Sequence, residues 1–140
     1  MSDSILDRAN KGILGLKPYE PGKPIEETQK VIEITKILKS ITSKIPANLN
    51  WLIQVEGHTD NLPVKKGQNY LDNWELSTKR ALSVLRFLIK QGIKPNRLSA
   101  SGYGSFQPID KKNTNVARAK NRRIEMKITQ STKLNDFRKK

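Results

Sequence analysis

The stretch Asn73-Trp-Glu-Leu-Ser-Thr-Lys-Arg80-Ala-Leu-Ser-Val-Leu-Arg-Phe-Leu88 constrains the fold most, because its residues sort by face only at a helical period. At about 100° per residue, Leu76, Ala81, Val84, Leu85 and Leu88 fall in one broad arc, and Lys79, Ser83, Arg86 and Lys90 gather opposite. A helix sorted this way needs an apolar layer to lie on. Arg80 breaks the sorting. It lies inside the apolar arc, between Leu76 and Val84, where an unpaired guanidinium is costly, so an anionic partner or ligand is expected to meet it there.

The rest of the chain supplies that layer. In residues 1–24, Gly12, Gly15, Pro18, Pro21, Gly22 and Pro24 interrupt any period while Ile13, Leu14 and Leu16 suggest a short strand. This reads as an N-terminal arm with a candidate edge strand. From Pro24 to Ile45, the positions Val31, Ile34, Leu38, Ile41 and Ile45 recur at helical spacing. Trp51-Leu-Ile-Gln-Val-Glu56 reads as a buried strand running into Gly57, and the turn-rich stretch to Tyr70 as a long loop. Asp72 or Asn73 can cap the helix that follows, and Gly92 suits its C-terminal end. A second strand is expected over Arg97–Gly102, a short helix near Asn115–Asn121 and a half-buried strand over Arg122–Thr129, where Ile124, Met126 and Ile128 alternate with charges. Residues 25–129 then form one α/β domain, an α+β sandwich with helices on one face of a small mixed sheet, and residues 130–140 a basic flexible tail.

Composition narrows the classes. The 140 residues suffice for one domain with a single core. With no cysteine there is neither a disulfide framework nor a thiolate metal site, and with His58 as the one histidine there is no histidine-rich metal site. No metal or other cofactor is expected. No stretch approaches the ~20 apolar residues of a membrane span. The first residues also lack a secretory signal, which leaves a cytosolic chain or one whose export segment lies outside it. A net charge of +14, from 27 Lys and Arg against 13 Asp and Glu, favours polyanionic partners: nucleic acid, anionic lipid or acidic wall polymer.

Chemistry concentrates where Gly57-His-Thr-Asp60 meets the helix carrying Arg80. Asp60 and Arg80 can pair with each other. They can equally read a zwitterion, Asp60 taking an ammonium and Arg80 a carboxylate, with the helix N-terminus near Asn73 favouring the anionic end. Spacing alone leaves both open. A catalytic set of His58, Asp60 and Ser77 lacks a nucleophile elbow or oxyanion loop, so no enzyme is read here. Gly102 and Gly104 suit a turn, Trp51 suits the core, and Trp74 is open between a sheet-edge cover and a stacking platform. Arg118-x-Lys120-x-Arg122-Arg123 is the best feature for a nucleic-acid-binding module, the alternative function. Its other reading is a solvated surface with Arg122 or Arg123 bracing the Asp60 loop.

These motifs together resemble the OmpA-like peptidoglycan-binding domain. The resemblance rests on Val55-Glu-Gly-His-Thr-Asp60, Asn73-x-x-Leu76-Ser77-x-x-Arg80-Ala81, Arg97-Leu-Ser-Ala-Ser-Gly-Tyr-Gly-Ser-Phe-Gln-Pro108 and Asn121-Arg-Arg-Ile-Glu125, in that order. It covers roughly residues 26–129 and is closest to the MotB branch, the wall-anchoring stator subunits of flagellar motors. The resemblance implies a βαβαβ-type order and non-catalytic binding of peptidoglycan through the diaminopimelate of its stem peptide. Asp60 and Arg80 would hold the amino and carboxylate groups, Asn73 and Leu76 would line the pocket, and Thr59 would add a hydrogen bond. His58, with a structural hydrogen-bonding role, and Arg122 and Arg123 would support the site. It further implies a periplasmic or cell-envelope location, a membrane-associated parent protein and a candidate homodimer, with nucleic acid disfavoured.

Overall fold

A computed structural model describes residues 25–130. The candidate edge strand in 1–24 and the tail from 131 onward lie outside the described residues. Gln130, assigned above to the tail, is the last residue of a strand. The elements in order are α1 (Ile25–Thr42), β1 (Trp51–His58), α2 (Asn73–Lys90), a 3-10 turn (Pro95–Arg97), β2 (Leu98–Gly102), α3 (Asn115–Asn121) and β3 (Arg123–Gln130). From β1 onward this is the expected βαβαβ order.

β1 is the middle strand of the sheet, parallel to β2 and antiparallel to β3. A parallel pair needs a crossover, and α2 is that crossover. The register Ile53↔Ile128, Val55↔Met126 and Gly57↔Ile124 puts the apolar residues of β1 and β3 on one face. Leu38 and Ile45 from the α1 segment and Ala81, Val84 and Leu88 from α2 join them in one core. The alternate pairs Gln54↔Lys127, Glu56↔Glu125 and His58↔Arg123 make the second face polar and ionic.

The helices end as local chemistry requires. Asp72 caps α2, its Oδ1 accepting from the Glu75 amide at 2.9 Å, and beyond the C-cap Gln91 the chain turns through Gly92 at a φ of 97°. In α1 the buried stripe includes Thr35, which the apolar pattern omitted; its hydroxyl donates to the Val31 carbonyl at 2.7 Å and so needs no other partner.

α2 differs from its sequence reading in one respect. Its buried stripe is Ser77, Ala81, Val84 and Leu88, so a serine occupies the first position facing the sheet and Leu76 and Arg80 move to the flank. Arg80 is half-buried there and already has an interaction within the chain. The cause is a close approach of backbones. Gly57 and Gly102 sit opposite each other on β1 and β2, and a Cβ on Gly57 would overlap the Ser77 carbonyl oxygen. A Cβ on Gly102 would lie 2.6 Å from the Thr78 nitrogen and 2.7 Å from Ser77 Oγ. Any larger residue than serine at 77 would hold the helix off the sheet.

Gly57→Ala and Gly102→Ala are each expected to cost ~2 kcal/mol or more, because each new methyl meets α2 backbone that cannot rotate away, the Ser77 carbonyl at Gly57 and the Thr78 nitrogen at Gly102. Gly67, at a φ of 90° with open space around it, should cost only the left-handed penalty of about 1–2 kcal/mol when changed to Ala. Urea midpoints at constant m-value check the ranking, and a Gly57→Ala midpoint equal to that of Gly67→Ala would contradict the close approach.

Candidate functional site

The end of β1, the start of α2 and the loop after β2 meet at one edge of the domain. Thr59 is buried; its amide donates to the Gly104 carbonyl at 2.9 Å and its hydroxyl to the Asp60 carbonyl at 2.9 Å. It therefore shapes the loop from beneath. The Asp60 carboxylate is largely covered, with 13% of the side chain exposed; one oxygen accepts from the Leu62 amide at 3.0 Å and the other pairs with Arg122 Nη1 at 2.7 Å. The Arg122 side chain is half-exposed, so it can steady Asp60 and still swing aside.

Asn73, the first residue of α2, fastens the helix to this loop. Its Nδ2 donates to the Leu62 carbonyl at 3.0 Å and reaches the Asp60 carbonyl at 3.5 Å. Asn73, Leu76 and Arg80 then follow at intervals of three and four along one flank of α2, all half-buried. Sequence spacing alone thus placed an amide, an apolar surface and a guanidinium in one row, and the loop contact joins the Asp60 backbone to the first residue of that row.

The other proposed readings meet different surroundings. Ser77 Oγ donates to the Trp74 carbonyl at 3.0 Å and accepts from the Gly104 amide at 2.9 Å, so the hydroxyl serves the fold and does not face His58. Arg123 is buried, donating to the Gln107 carbonyl at 2.7 Å, the Asn121 carbonyl at 3.2 Å and Glu125 Oε1 at 3.0 Å. Arg118 bonds the Asn113 and Asn115 side chains at 2.8 and 2.6 Å. Within the Arg118–Arg123 stretch Arg123 is therefore interior, and Arg118 and Arg122 each bond loop side chains while Lys120 and Arg122 keep exposed surface. Asn121, whose part was not legible beforehand, holds Ile109 and Asp110 through three hydrogen bonds of 2.8–3.1 Å.

His58 corrects the expectation of a hydrogen-bonding role. Both ring nitrogens are buried without a hydrogen-bond partner among the described residues, and the ring stacks on Tyr103 at 5.1 Å and 4°. Its Nε2 lies 3.5 Å from Glu125 Oε2 and 3.9 Å from Glu56 Oε2. The Glu56, His58 and Glu125 donor atoms lie within 4.8 Å of one another, close enough to hold a cation. The chain supplies that charge itself: Lys127 Nζ is 3.0 Å from Glu56 and 3.9 Å from Glu125, and Arg123 clasps Glu125 from the other side. Burial, then the nearby Arg123 charge, depress the His58 pKa despite both carboxylates, so the ring is neutral and these contacts are not ion pairs at neutral pH. Burial works to raise the Glu125 pKa, but the Arg123 bond and charge outweigh it and hold the group ionised.

The chain matches the OmpA family over residues 20–122. Motility protein B of Helicobacter pylori (strain J99) is 39% identical over 109 residues, 78% of this chain and 40% of that protein. The periplasmic domain of H. pylori MotB superposes with a TM-score of 0.69 at 30% identity, covering 91% of this chain and 85% of that one. Peptidoglycan-binding protein ArfA of Mycobacterium tuberculosis is 32% identical over 93 residues, 66% of this chain and 27% of that protein. The chain thus spans about two fifths or less of the length of these curated relatives.

The pH response of the polar face follows from His58. As the pH falls through its ordinary value of 6.5, the unfolded chain takes up a proton that the folded chain refuses, so stability drops there until the folded state can protonate too. His58→Gln should flatten the loss of stability between about pH 7 and pH 5, leaving the carboxylate-driven loss below it. Urea midpoints across that range test this, and parallel profiles for the two proteins would refute it.

Proposed function

The chain belongs to the OmpA family, and from that premise we propose that it binds peptidoglycan without catalysis, through the diaminopimelate of the stem peptide. Asp60 takes the ammonium group and Arg80 the carboxylate, while Asn73 and Leu76 line the space between them. Thr59 fixes the backbone that presents Asp60; Arg122 and Arg123 hold the carboxylate and the loops around it. The observation that carries this reading is the Asn73 contact to the Asp60 loop, at 3.0 and 3.5 Å. It ties the backbone of the Asp60 loop to the first residue of the α2 flank that ends in Arg80. A carboxylate on the loop after β1 and a guanidinium on α2 suit a zwitterion better than a single charge.

The parent protein is then a periplasmic or envelope component, and residues 25–129 are its wall anchor, flanked by an arm and a basic tail. The similarity to Motility protein B supports a flagellar stator as that parent. Self-association, also implied by the resemblance, is checked by sedimentation of the free domain.

Co-sedimentation with diaminopimelate-type sacculi tests the site. The domain should pellet, excess stem peptide should release it, and Asp60→Ala or Arg80→Ala should weaken pelleting at least about tenfold, the effect of one lost charge-assisted bond. Circular dichroism confirms that the variants fold. Pelleting that salt alone abolishes, or that both variants retain, would overturn the site.

A further inference from the structure

Two stretches of this chain carry no carboxylate. Residues 34–55 hold three Lys or Arg, residues 76–109 hold six, and neither stretch has an Asp or Glu. Folding sets parts of the two side by side. The end of α1 and the chain entering β1 supply Lys39, Ile45 and Trp51, and the segment after α2 supplies Ile93, Lys94 and Arg97, around a cavity of about 360 Å³. That is the size of a small-ligand site. It lies at the start of β1, and the eight residues of that strand place it ~23 Å from the end that leads to Asp60.

The charge in this cavity is unbalanced. Arg97 is built into the wall: its Cζ stacks 4.5 Å from the Trp51 ring centroid, and its guanidinium donates to the Leu49 and Trp51 carbonyls at 3.1 Å each and to the Ala47 carbonyl at 3.4 Å. Those acceptors are neutral, so they fix the group and leave its charge in place. Lys39 Nζ lies 3.2 Å from the point that a Cβ on Gly92 would occupy, so this ammonium bends across from α1 toward the turn after α2. Neither Lys39 nor Lys94 pairs with a carboxylate among the described residues. The C-terminal ends of α1 and α2 offset about half a charge each, which leaves roughly two of the three positive charges.

That remainder selects the ligand. A single carboxylate supplies one charge, whereas a phosphate monoester carries about −1.5 to −2 at pH 7 and offers three acceptor oxygens. The cavity is also larger than a bare phosphate needs, and the buried Ile45 and Ile93 give it an apolar floor for a carbon skeleton. Both lysines are exposed, so a ligand reaches them directly from water.

We propose that this cavity is an organic-phosphate site, in which Lys39 and Lys94 take the phosphate oxygens and Arg97 supplies fixed positive charge from the wall. The phosphate belongs to a free monoester or to a lipid headgroup, one chemistry from two sources. At the opposite end of β1 from Asp60, the site is independent of stem-peptide binding.

Titration with glycerol phosphate, and with phosphatidylcholine vesicles with and without phosphatidic acid, tests this in a Trp74→Phe background that leaves Trp51 as the sole indole. Binding should be saturable and shift Trp51 emission. Lys39→Gln with Lys94→Gln should weaken it at least about tenfold. Lys65→Gln with Lys66→Gln, an exposed pair in the loop after β1, removes the same charge and should change it less than about twofold. A response to glycerol phosphate supports the site with a free ester as its ligand, and a response confined to phosphatidic acid vesicles supports it with a lipid surface. Equal weakening by the two pairs would reduce the effect to the net charge of +14 and overturn the site, as would no binding of either probe.

Discussion

The approach of α2 to the strands at Gly57, Gly102 and Ser77 is the constraint on which the rest depends. Two glycines paired across β1 and β2 leave a bare patch of sheet, and a serine is small enough to let helix backbone settle onto it. Once there, Ser77 Oγ receives the Gly104 amide, Gly104 receives the Thr59 amide, and Tyr103 donates to the Gly57 carbonyl at 3.0 Å. The ends of β1 and β2 and the start of α2 are thereby drawn together. Every group assigned to stem-peptide binding lies within a turn or a few residues of this junction.

The sheet divides its labour by face. The side under α1 and α2 is aliphatic and supplies the burial that drives folding. The other side buries Glu56, His58 and Arg123, which could not be stable singly. They are tolerated as a set, two carboxylates facing two cations around a neutral imidazole, with the Tyr103 hydroxyl donating to Glu56 at 3.3 Å. Slipping β3 by one residue would bring these charges to the helices and Ile124, Met126 and Ile128 to the opposite side, so the cluster also secures strand register.

The groups proposed for stem-peptide recognition lie at the junction for a related reason. Groups that must meet a ligand have to be held yet remain exposed, and a loop clamped between a strand end and a helix start meets both demands. Asp60 is held by one backbone amide and one half-exposed arginine. Arg80 rides on a helix whose position is set elsewhere, by serine and glycine.

Residue periodicity and turn chemistry determined much of this protein by themselves. They located both long helices, the short α3, all three described strands and the core stripe Ala81, Val84 and Leu88, because burial on one face leaves a period in the chain. The motif residues Asp60, Asn73, Leu76 and Arg80 were legible too, as chemically unusual choices at fixed spacings. Only the tertiary structure decided that Ser77 heads the buried stripe of α2 and that Arg80 lies on its flank. That depends on what faces the helix, and the two glycines facing it, Gly57 and Gly102, lie on other segments of the chain on either side of it. It likewise decided that Arg122 meets Asp60, that Arg123 is interior, that His58 is held by stacking and that Trp74 finds Phe106. These are pairings between distant segments, and a local pattern carries no record of which segment will arrive opposite it.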